Sequence, residues 1–331
     1  MDPLSDLLRV IRLNGAFFFA VEAADPWAVE TAAARELRPR ILPAAEHLIP
    51  YHILTEGHCF GGVVGEKPVE MVPGDVLIIP QGEAHVMSSG PTIAGGVPLN
   101  RTAPPRYPET VMLGDGGSRG TAFVCGFLGC DLRPFNPLLA ALPRQIHVRG
   151  MSPLWTGDYT RQLVEESRLR RAGADLVITR LAELMFIQVL RRYLEALPAG
   201  QTGWLAALRD EVVGRVLALL HARPAHPWTL AELAREAASS RTAVAQRFTE
   251  LVGQPPMQYL TRWRMQVAAN LLAQGGAKIA AIAGEVGYDS EAAFSRAFKK
   301  ATGQAPGAWR EGRSHTGAGR ESRKSGRSVI G

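Results

Sequence analysis

Several features of other protein classes are scarce or missing in this chain. Its 331 residues include only three cysteines, Cys59, Cys125 and Cys130, which are too few for a disulfide framework and are typical of a reducing compartment. No stretch approaches the roughly 18 consecutive apolar residues of a membrane span, and the N-terminus lacks the basic start and apolar block of a signal peptide. The sequence also contains no phosphate-binding loop, no dinucleotide fingerprint and no pairing of a nucleophile with a base. We therefore expect a cytoplasmic protein that is not an enzyme and has no membrane partner, and the length predicts two domains.

Positive charge is concentrated in the C-terminal part of the chain. Lys and Arg outnumber Asp and Glu by 37 to 31 overall. Residues 1–200 nevertheless have a net charge of −2, whereas residues 201–331 have a net charge of +8. Contacts between basic side chains and phosphates dominate the affinity of proteins for nucleic acids. The asymmetry therefore indicates a polyanionic partner for the C-terminal part.

The same part of the chain contains a near-repeat. The segment Leu230–Ala238 is echoed 49 positions later by Ile279–Gly287, and the pattern F-x4-GQ-x-P that starts at Phe248 recurs 50 positions later at Phe298. Each copy predicts a short helix, a tight turn and a second helix with apolar residues four positions apart. Two such units in tandem predict a pair of helix-turn-helix motifs, an arrangement that reads DNA.

The ends of these helices can be placed from their capping residues. In the first unit Thr229 is a predicted N-cap with Glu232 as its capping-box partner, and the second helix is predicted over Arg241–Leu251. In the second unit Ser290 is predicted to cap a helix that runs to Thr302. Between the units, Pro256–Ala273 predicts one helix roughly 27 Å long. That length is compatible with two reading helices in successive major grooves, which repeat every ~34 Å.

The tandem unit, with its run from Ala283 to Arg310, resembles the C-terminal domain of the AraC/XylS family of transcriptional regulators over about 205–310. The resemblance implies double-stranded DNA and RNA polymerase as partners, with the second helix of each unit in the major groove. The implied base-edge readers are Thr242, Ala245, Gln246, Glu291, Ala292 and Arg296, and the implied phosphate contacts are Ser240, Arg241, Ser290 and Lys299. For Arg296 the alternative interpretation is a solvated surface arginine.

The N-terminal part has a different pattern. Short apolar runs such as Ala16–Val21 and Val76–Ile79 are separated by Gly and Pro and predict an all-β barrel or sandwich. Ser88–Gly120 is rich in Gly, Pro, Thr and Arg and predicts a long loop. The stretch from Gly74 to His85 (GDVLIIPQGEAH) resembles the second motif of cupin barrels. His52-x3-Glu56-Gly57 resembles part of the first motif, although Pro50 stands where that family has another histidine.

The segments Val124–Phe127 and Pro137–Pro143 further resemble the cupin-type sensor domains of some AraC-like regulators. The resemblance covers about 5–148 and implies a small-molecule effector. The missing histidine argues against a non-haem iron site of the oxygenase type. Cys125 is a candidate replacement, so His52, His85 and Cys125 are predicted ligands for zinc. Two alternatives stay open. Either the histidines are hydrogen-bonded barrel residues beside a small buried thiol, or Cys125 pairs with Cys130 as a thiol sensor.

Helical periodicity over residues 158–171 and 174–197, interrupted at Ala172-Gly173, predicts an antiparallel helical pair that forms a homodimer. The alternative is that the apolar stripe of this pair is buried against the barrel of its own chain. The predicted fold is α+β with two domains: a cupin-like β-barrel at 1–148 with a helical dimerisation segment at 149–197, and an all-α tandem helix-turn-helix domain at 204–310. Residues 198–203 are a predicted linker and 311–331 a disordered basic tail. The expected function is sequence-specific transcriptional regulation, controlled by an effector or metal in the barrel. The alternatives are a cupin-type metalloenzyme with an accessory DNA-binding domain and a constitutive architectural DNA binder.

Overall fold

The computed structural model describes residues 2–11, 13–91, 97–98, 110–114, 119–150, 158–159, 161–163, 165–166, 171–198 and 200–318. The chain forms two compact units, and each is discontinuous in sequence. The sheet unit consists of Leu13–Asp131 and Leu139–Ala199. The helical unit consists of Met1–Arg12, Leu132–Leu138 and Gly200–Gly331.

The sheet unit contains two sheets, as expected for a double-sheet β-barrel. The strands are β1 Leu13–Ala24, β2 Ala28–Thr31, β3 His47–Glu56, β4 Cys59–Val63, β5 Val69–Met71, β6 Val76–Ile78, β7 His85–Ser88, β8 Val97–Pro98, β9 Val111–Leu113, β10 Arg119–Cys130 and β11 Ile146–Val148. The six-stranded sheet has the order β11-β6-β3-β10-β1-β9, and the five-stranded sheet has the order β5-β4-β7-β2-β8. Neighbouring strands are antiparallel except for the pairs β1–β9 and β2–β8.

One hydrophobic core fills the space between these sheets. Side chains alternate between the two faces of a strand, so every second residue of β1, β3 and β10 points inward. Trp27 and Phe123 stack in this core with ring centroids 5.3 Å apart. The buried members of the core are Val21, Ala23, Trp27, Val29, Leu54, Cys59, Val63, Met71, Leu77, Ile79, Met87, Phe123 and Cys125.

Three helices follow or interrupt the strands: α2 Ala34–Ile41, α3 Pro137–Ala141 and α4 Ala174–Ala196. The predicted helix over 174–197 is confirmed. It begins after Gly173, which adopts a left-handed backbone conformation with a φ of 88°. The helix α4 contacts β1 and buries one face, which includes Ile178, Met185 and Val189. The described residues between 158 and 166 are also helical.

The helical unit contains α1 Pro3–Val10, α5 Trp204–Ala207, α6 Glu211–Ala222, α7 Leu230–Glu236, α8 Arg241–Val252, α9 Pro256–Gln274, α10 Ile279–Glu285, α11 Glu291–Thr302 and α12 Pro306–Ala318. Side-chain oxygens of Thr229, Ser240 and Ser290 accept backbone N–H groups at the starts of α7, α8 and α11. These bonds satisfy N–H groups that have no partner within a helix. The tandem arrangement of two helix-turn-helix units therefore forms as the sequence predicts.

Two segments from the N-terminal half of the sequence belong to the helical unit. In α1, Leu4 and Leu7 are buried, and the helix contacts α6 and α9. In the segment 132–138, the Phe135 ring lies 5.4 Å from the Tyr259 ring at 79°, and its backbone N–H donates to Gln266 Oε1 over 2.9 Å. The structural units thus differ from the predicted boundaries 1–148 and 204–310, because these apolar side chains are buried against helices that are remote in sequence.

Other expected segments differ in detail. The tail predicted from Glu311 starts as helix, because α12 continues to Ala318 beyond the buried Trp309 and an established helix extends easily. The rest of that tail lies outside the described residues. Most of the predicted loop Ser88–Gly120 also lies outside them, and the part that is described includes β8 and β9. Among the described residues, no helix is long and apolar enough to cross a membrane.

Candidate functional site

The second helix of each helix-turn-helix unit has one buried and one exposed face. In α8 the buried pair is Val244 and Phe248, and in α11 it is Phe294 and Phe298. Burial of these pairs fixes which side chains point outward. The predicted DNA-contacting residues lie on that outer face: Ala245 is half-buried, and Ser240, Arg241, Thr242, Gln246, Ser290, Glu291, Ala292, Arg296 and Lys299 are exposed.

Some of these side chains have partners within the chain. The amide of Gln246 donates to Glu250 Oε1 over 2.9 Å. The hydroxyl oxygens of Ser240 and Ser290 accept the N–H groups of Ala243 and Ala293. Each serine keeps an O–H that can donate to a phosphate oxygen. The helix N-termini also carry partial positive charge, which favours phosphate there.

The turns of the two units have the same backbone conformation with different residues. Gly287 has φ +80° in the second unit, and Ala238, its counterpart in the repeat, has φ +48° in the first. Among the described residues, Ala238 is the non-glycine residue with positive φ. The left-handed region is unfavourable for residues that carry a Cβ atom, so the first turn is strained where the second is not.

In the sheet unit, three buried side chains form a hydrogen-bonded row between the two sheets. His52 on β3 lies directly opposite Cys125 on β10, and His85 begins β7 in the other sheet. His52 Nδ1 is 2.8 Å from Cys125 Sγ, and His52 Nε2 is 2.8 Å from His85 Nε2. His85 Nδ1 is 2.9 Å from the carbonyl oxygen of Glu83. The structure therefore brings together the three predicted zinc ligands.

The carbonyl of Glu83 fixes the direction of these hydrogen bonds. Because it can only accept, His85 Nδ1 must donate to it. A neutral His85 then has its lone pair at Nε2, so His52 donates from Nε2 and accepts at Nδ1. The thiol of Cys125 supplies the last hydrogen and donates to His52 Nδ1. Both imidazoles and the thiol are thus satisfied in their uncharged forms.

Burial keeps the row uncharged at neutral pH. It lowers the pKa of His52 well below its usual value, and the neighbouring His85 adds to this effect. It lowers the pKa of His85 to about 4, although the bond to the Glu83 carbonyl opposes the shift. Burial also raises the pKa of Cys125 well above its usual value, with a smaller effect from Cys59. The row therefore consists of a thiol and two neutral imidazoles.

This arrangement does not fit the predicted zinc ion. Zinc needs ligand atoms that surround one point at about 2.0–2.3 Å, with cysteine as thiolate. His52 lies between the other two residues and turns a different ring nitrogen toward each, so the three ligand atoms share no common centre. Over the described ranges, no group of three His, Cys, Asp or Glu side chains could hold a metal ion. Bound zinc stays a prediction that only metal analysis can decide.

The alternative of a bond between Cys125 and Cys130 is incompatible with the strand. The two residues are five positions apart on β10, which corresponds to about 16 Å and to opposite faces of the sheet. Disulfides need Cα atoms within about 7 Å.

Four other histidines form hydrogen bonds within the chain: His47 with the Pro80 carbonyl, His147 with Asp75, His221 with Tyr259 and His226 with Glu232.

A buried donor of this interior has no partner. Nε1 of Trp27 is buried and makes no hydrogen bond. The Trp27 ring stacks on Phe123, whose ring centroid is 6.5 Å from that of His52. Buried polar groups are normally hydrogen-bonded, so this N–H can bond an acceptor that enters the core. Sequence reasoning missed Trp27, because a single tryptophan before a short strand belongs to no motif.

The helical unit is basic and exposes the outer faces of the two predicted reading helices. The sheet unit carries a polar row in its core. Together these features define a DNA-binding regulator with a separate second domain. A cupin family model matches residues 2–195, and a helix-turn-helix domain model matches residues 233–312. The chain is 34% identical over 317 residues to an AraC-like transcription regulator of Streptomyces lividans, with 94% of this chain and 98% of that protein covered. It is 33% identical over 320 residues to an AraC-like transcription regulator of Streptomyces antibioticus, with 94% and 99% covered. It is 27% identical over 317 residues to the regulator AlkR of Acinetobacter baylyi, with 94% and 99% covered.

The chain belongs to the AraC-like family of transcription regulators, with an N-terminal cupin domain. The expected family, fold class and regulatory function are confirmed, and the relatives are regulators rather than enzymes. Double-stranded DNA is therefore its partner, bound through the helix-turn-helix domain. The regulatory assignment takes precedence over the alternative of a cupin-type metalloenzyme.

Proposed function

We propose that this regulator is controlled by a small-molecule effector that binds in the core of the sheet unit. The observation that carries the proposal is the unbonded N–H of Trp27 in a buried core with otherwise apolar walls and an uncharged polar row. Small-molecule sites are mostly apolar, with a few polar groups that fix the orientation of the ligand. The effector that suits this core is uncharged, because burial of a charge without a partner is unfavourable. It also carries a hydrogen-bond acceptor for the indole N–H.

A ligand screen that records thermal stability, ligand turnover and DNA affinity together tests this proposal. An effector raises the melting temperature of the full-length protein, since binding to the native state adds RT ln(1 + [L]/Kd) to stability. It also changes DNA affinity and is recovered unaltered. Trp27→Phe removes the N–H but keeps an aromatic ring, so it should weaken the ligand response. Trp228→Phe in the helical unit, where the indole donates to the Arg223 carbonyl, is the matched control.

The other outcomes of the screen separate the alternatives. A ligand that is consumed would support an enzymatic barrel. A ligand that stabilises the protein without any change in DNA affinity would support a constitutive DNA binder. A response that is equal in wild type and Trp27→Phe would place the effector elsewhere in the protein.

We further propose that base sequence is read by Thr242, Ala245 and Gln246 in the first unit and by Glu291, Ala292 and Arg296 in the second. Five of these side chains are exposed on the reading helices and Ala245 is half-buried there, which supports the assignment. Sequencing of DNA fragments that the protein retains would identify the two half-sites. Arg296→Ala should then reduce affinity by about 1–3 kcal/mol and relax preference at one base pair of the second half-site. Gln246→Ala should have the same effect in the first. An equal loss on all sequences would indicate a phosphate contact instead.

A homodimer formed through α4 is also proposed. The face of α4 that points away from β1 carries Leu176 and Leu184, which are 60% and 45% exposed, and Val177, Leu181 and Ile187 are half-buried beside them. An apolar stripe of this kind is typical of an interaction surface. Sedimentation of Leu184→Glu should show a monomer, while Asp175→Lys, an exposed control that lies outside the stripe, should remain dimeric. A folded Leu184→Glu dimer would exclude this face.

The remaining expected partners follow from the regulatory role. We propose RNA polymerase as a further partner and the cytoplasm as the location, because the relatives are bacterial proteins and bacterial DNA lies in the cytoplasm.

Bound zinc is tested by elemental analysis of protein prepared without chelator. If the protein carries about one zinc per chain, Cys125→Ser should lower both zinc content and stability, whereas Cys130→Ser should change neither. Such a result would require the His52 ring to leave the row.

A further inference from the structure

One side chain of the connecting helix α9 bonds to both helix-turn-helix units. Arg264 donates from Nε to the carbonyl oxygen of Pro224 over 2.7 Å and from Nη2 to the carbonyl oxygen of His226 over 3.0 Å. It also donates from Nη1 to the carbonyl oxygen of Gly287 over 3.4 Å. The first two acceptors lie in the loop that leads into α7 of the first unit. The third lies in the turn between α10 and α11 of the second unit.

The loop and the turn are in direct contact at this point. A Cβ atom added to Gly287 would lie 2.6 Å from the carbonyl oxygen of Ala225 and 2.9 Å from Nη2 of Arg264. The ring of Tyr288, the next residue, has its centroid 6.0 Å from the Arg264 guanidinium carbon. The half-buried guanidinium therefore occupies the junction of the two units, and glycine is required in the turn for them to meet.

The chemistry of arginine suits this junction. A guanidinium is planar and holds its five N–H donors in a fixed fork. Three of its nitrogens can thus bond carbonyls in three directions while the side chain stays in one conformation. A lysine ammonium is a flexible point charge and cannot reproduce that geometry. The three acceptors are backbone atoms, so bending one unit against the other breaks or lengthens at least one of these bonds.

We infer that Arg264 is a positioning residue that fixes the angle between the two reading helices and thereby sets the half-site spacing that the protein accepts. It contacts backbone carbonyls of both units, so its effect on binding is transmitted through the geometry of the pair. Each unit keeps its own core, formed around Val244 and Phe248 in the first and Phe294 and Phe298 in the second. Loss of Arg264 therefore leaves each unit able to bind its own half-site.

The test uses full-length protein and a duplex selected by the wild type from random DNA. Affinity is measured on this duplex, on versions with either half-site scrambled, and on versions with one or two base pairs inserted between the half-sites. Arg264→Gln should weaken binding to the intact duplex by about tenfold, the size of a moderate coupling between two sites, with little change on either scrambled duplex. The penalty for inserted base pairs should shrink.

Arg262→Gln is the matched control, because Arg262 lies two residues earlier on α9 and bonds to Gln254. It removes the same charge and should leave the spacing penalty at the wild-type level. Arg264→Lys keeps the charge and should behave like Arg264→Gln. An equal loss on the scrambled and intact duplexes, or an unchanged spacing penalty in a folded Arg264→Lys protein, would overturn the inference.

Discussion

Replacement of Phe135 by Ala should destabilise the helical unit, although Phe135 lies in the N-terminal half of the sequence. The Phe135 side chain is 6% exposed. Its ring meets Tyr259 edge to face at 5.4 Å, and the Arg262 guanidinium lies 4.2 Å above it. Removal of a buried Phe typically reduces stability by about 3–5 kcal/mol, a range that includes the cavity left behind. The segment 132–138 is short and can shift to close part of that cavity, so we expect about 3 kcal/mol.

Urea unfolding followed by tryptophan fluorescence measures this change. Four of the six tryptophans in the chain belong to the helical unit, so the signal reports mainly its unfolding. The expected result is a lower midpoint for that transition and reduced DNA affinity at temperatures where part of the protein is unfolded. Leu132→Ala, in the same segment with a side chain that is 45% exposed, should change stability by less than about 0.5 kcal/mol.

An unchanged unfolding midpoint in Phe135→Ala would refute the assignment of this segment to the helical unit. A related comparison uses the fragment 200–318, which lacks both α1 and the segment 132–138. It should be less stable than the same unit in the full chain, because Tyr259 and Gln266 lose their partner Phe135. Equal stability of the fragment and of the unit in the full chain would also refute the assignment of segment 132–138 to the helical unit.

Three further predictions concern the helical unit. Burial lowers the pKa of His221 to about 3, so the unfolded chain takes up a proton below pH 6.5 that the folded chain does not. The free energy of unfolding should therefore fall as pH drops from 6.5 toward 3, by up to roughly 5 kcal/mol, and unfolding titrations of His221→Gln should show a flatter profile. Ala238→Gly should raise stability by about 0.5–1 kcal/mol, because it removes the strain of a positive φ at a modest entropic cost; a lower melting temperature would contradict this. DNA affinity should fall by a factor of roughly 10³ or more between 50 and 200 mM salt if about six phosphates are contacted, and a flat dependence would argue against a phosphate-binding surface.

Local sequence patterns predict the tandem helix-turn-helix units and the outward-facing positions of their second helices. Apolar residues four positions apart, such as Phe294 and Phe298, and capping residues such as Ser240 and Ser290 act over one or two helical turns. Because these interactions are local, they are visible in one stretch of sequence. The predicted helix over 174–197 and the exposed outer positions of the reading helices follow from the same local rules.

The sheet unit was predictable in composition and only partly in arrangement. The spacing around His52 and His85 resembles the cupin motifs, and Cys125 is a candidate replacement for the missing histidine. The order of the three in the row depends on the register of β3 against β10, where His52 meets Cys125 across 73 positions of sequence. A change of one residue in register would move Cys125 to the other face of the sheet. That register, and hence the difference between a row and a metal site, cannot be obtained from either segment alone.

The assignment of α1 and the segment 132–138 to the helical unit depends on contacts between residues that are remote in sequence. The sequence of α1 and of the segment 132–138 predicts short apolar stretches but not what they contact. Phe135 is buried because Tyr259 and Arg262 lie where its ring can pack. Arg264 joins the two helix-turn-helix units because its three acceptors lie 40, 38 and 23 residues away in sequence. Contacts between remote residues depend on the position of every intervening element. Local periodicity determines which residues are apolar and which face they occupy, whereas the assembled fold determines the partner.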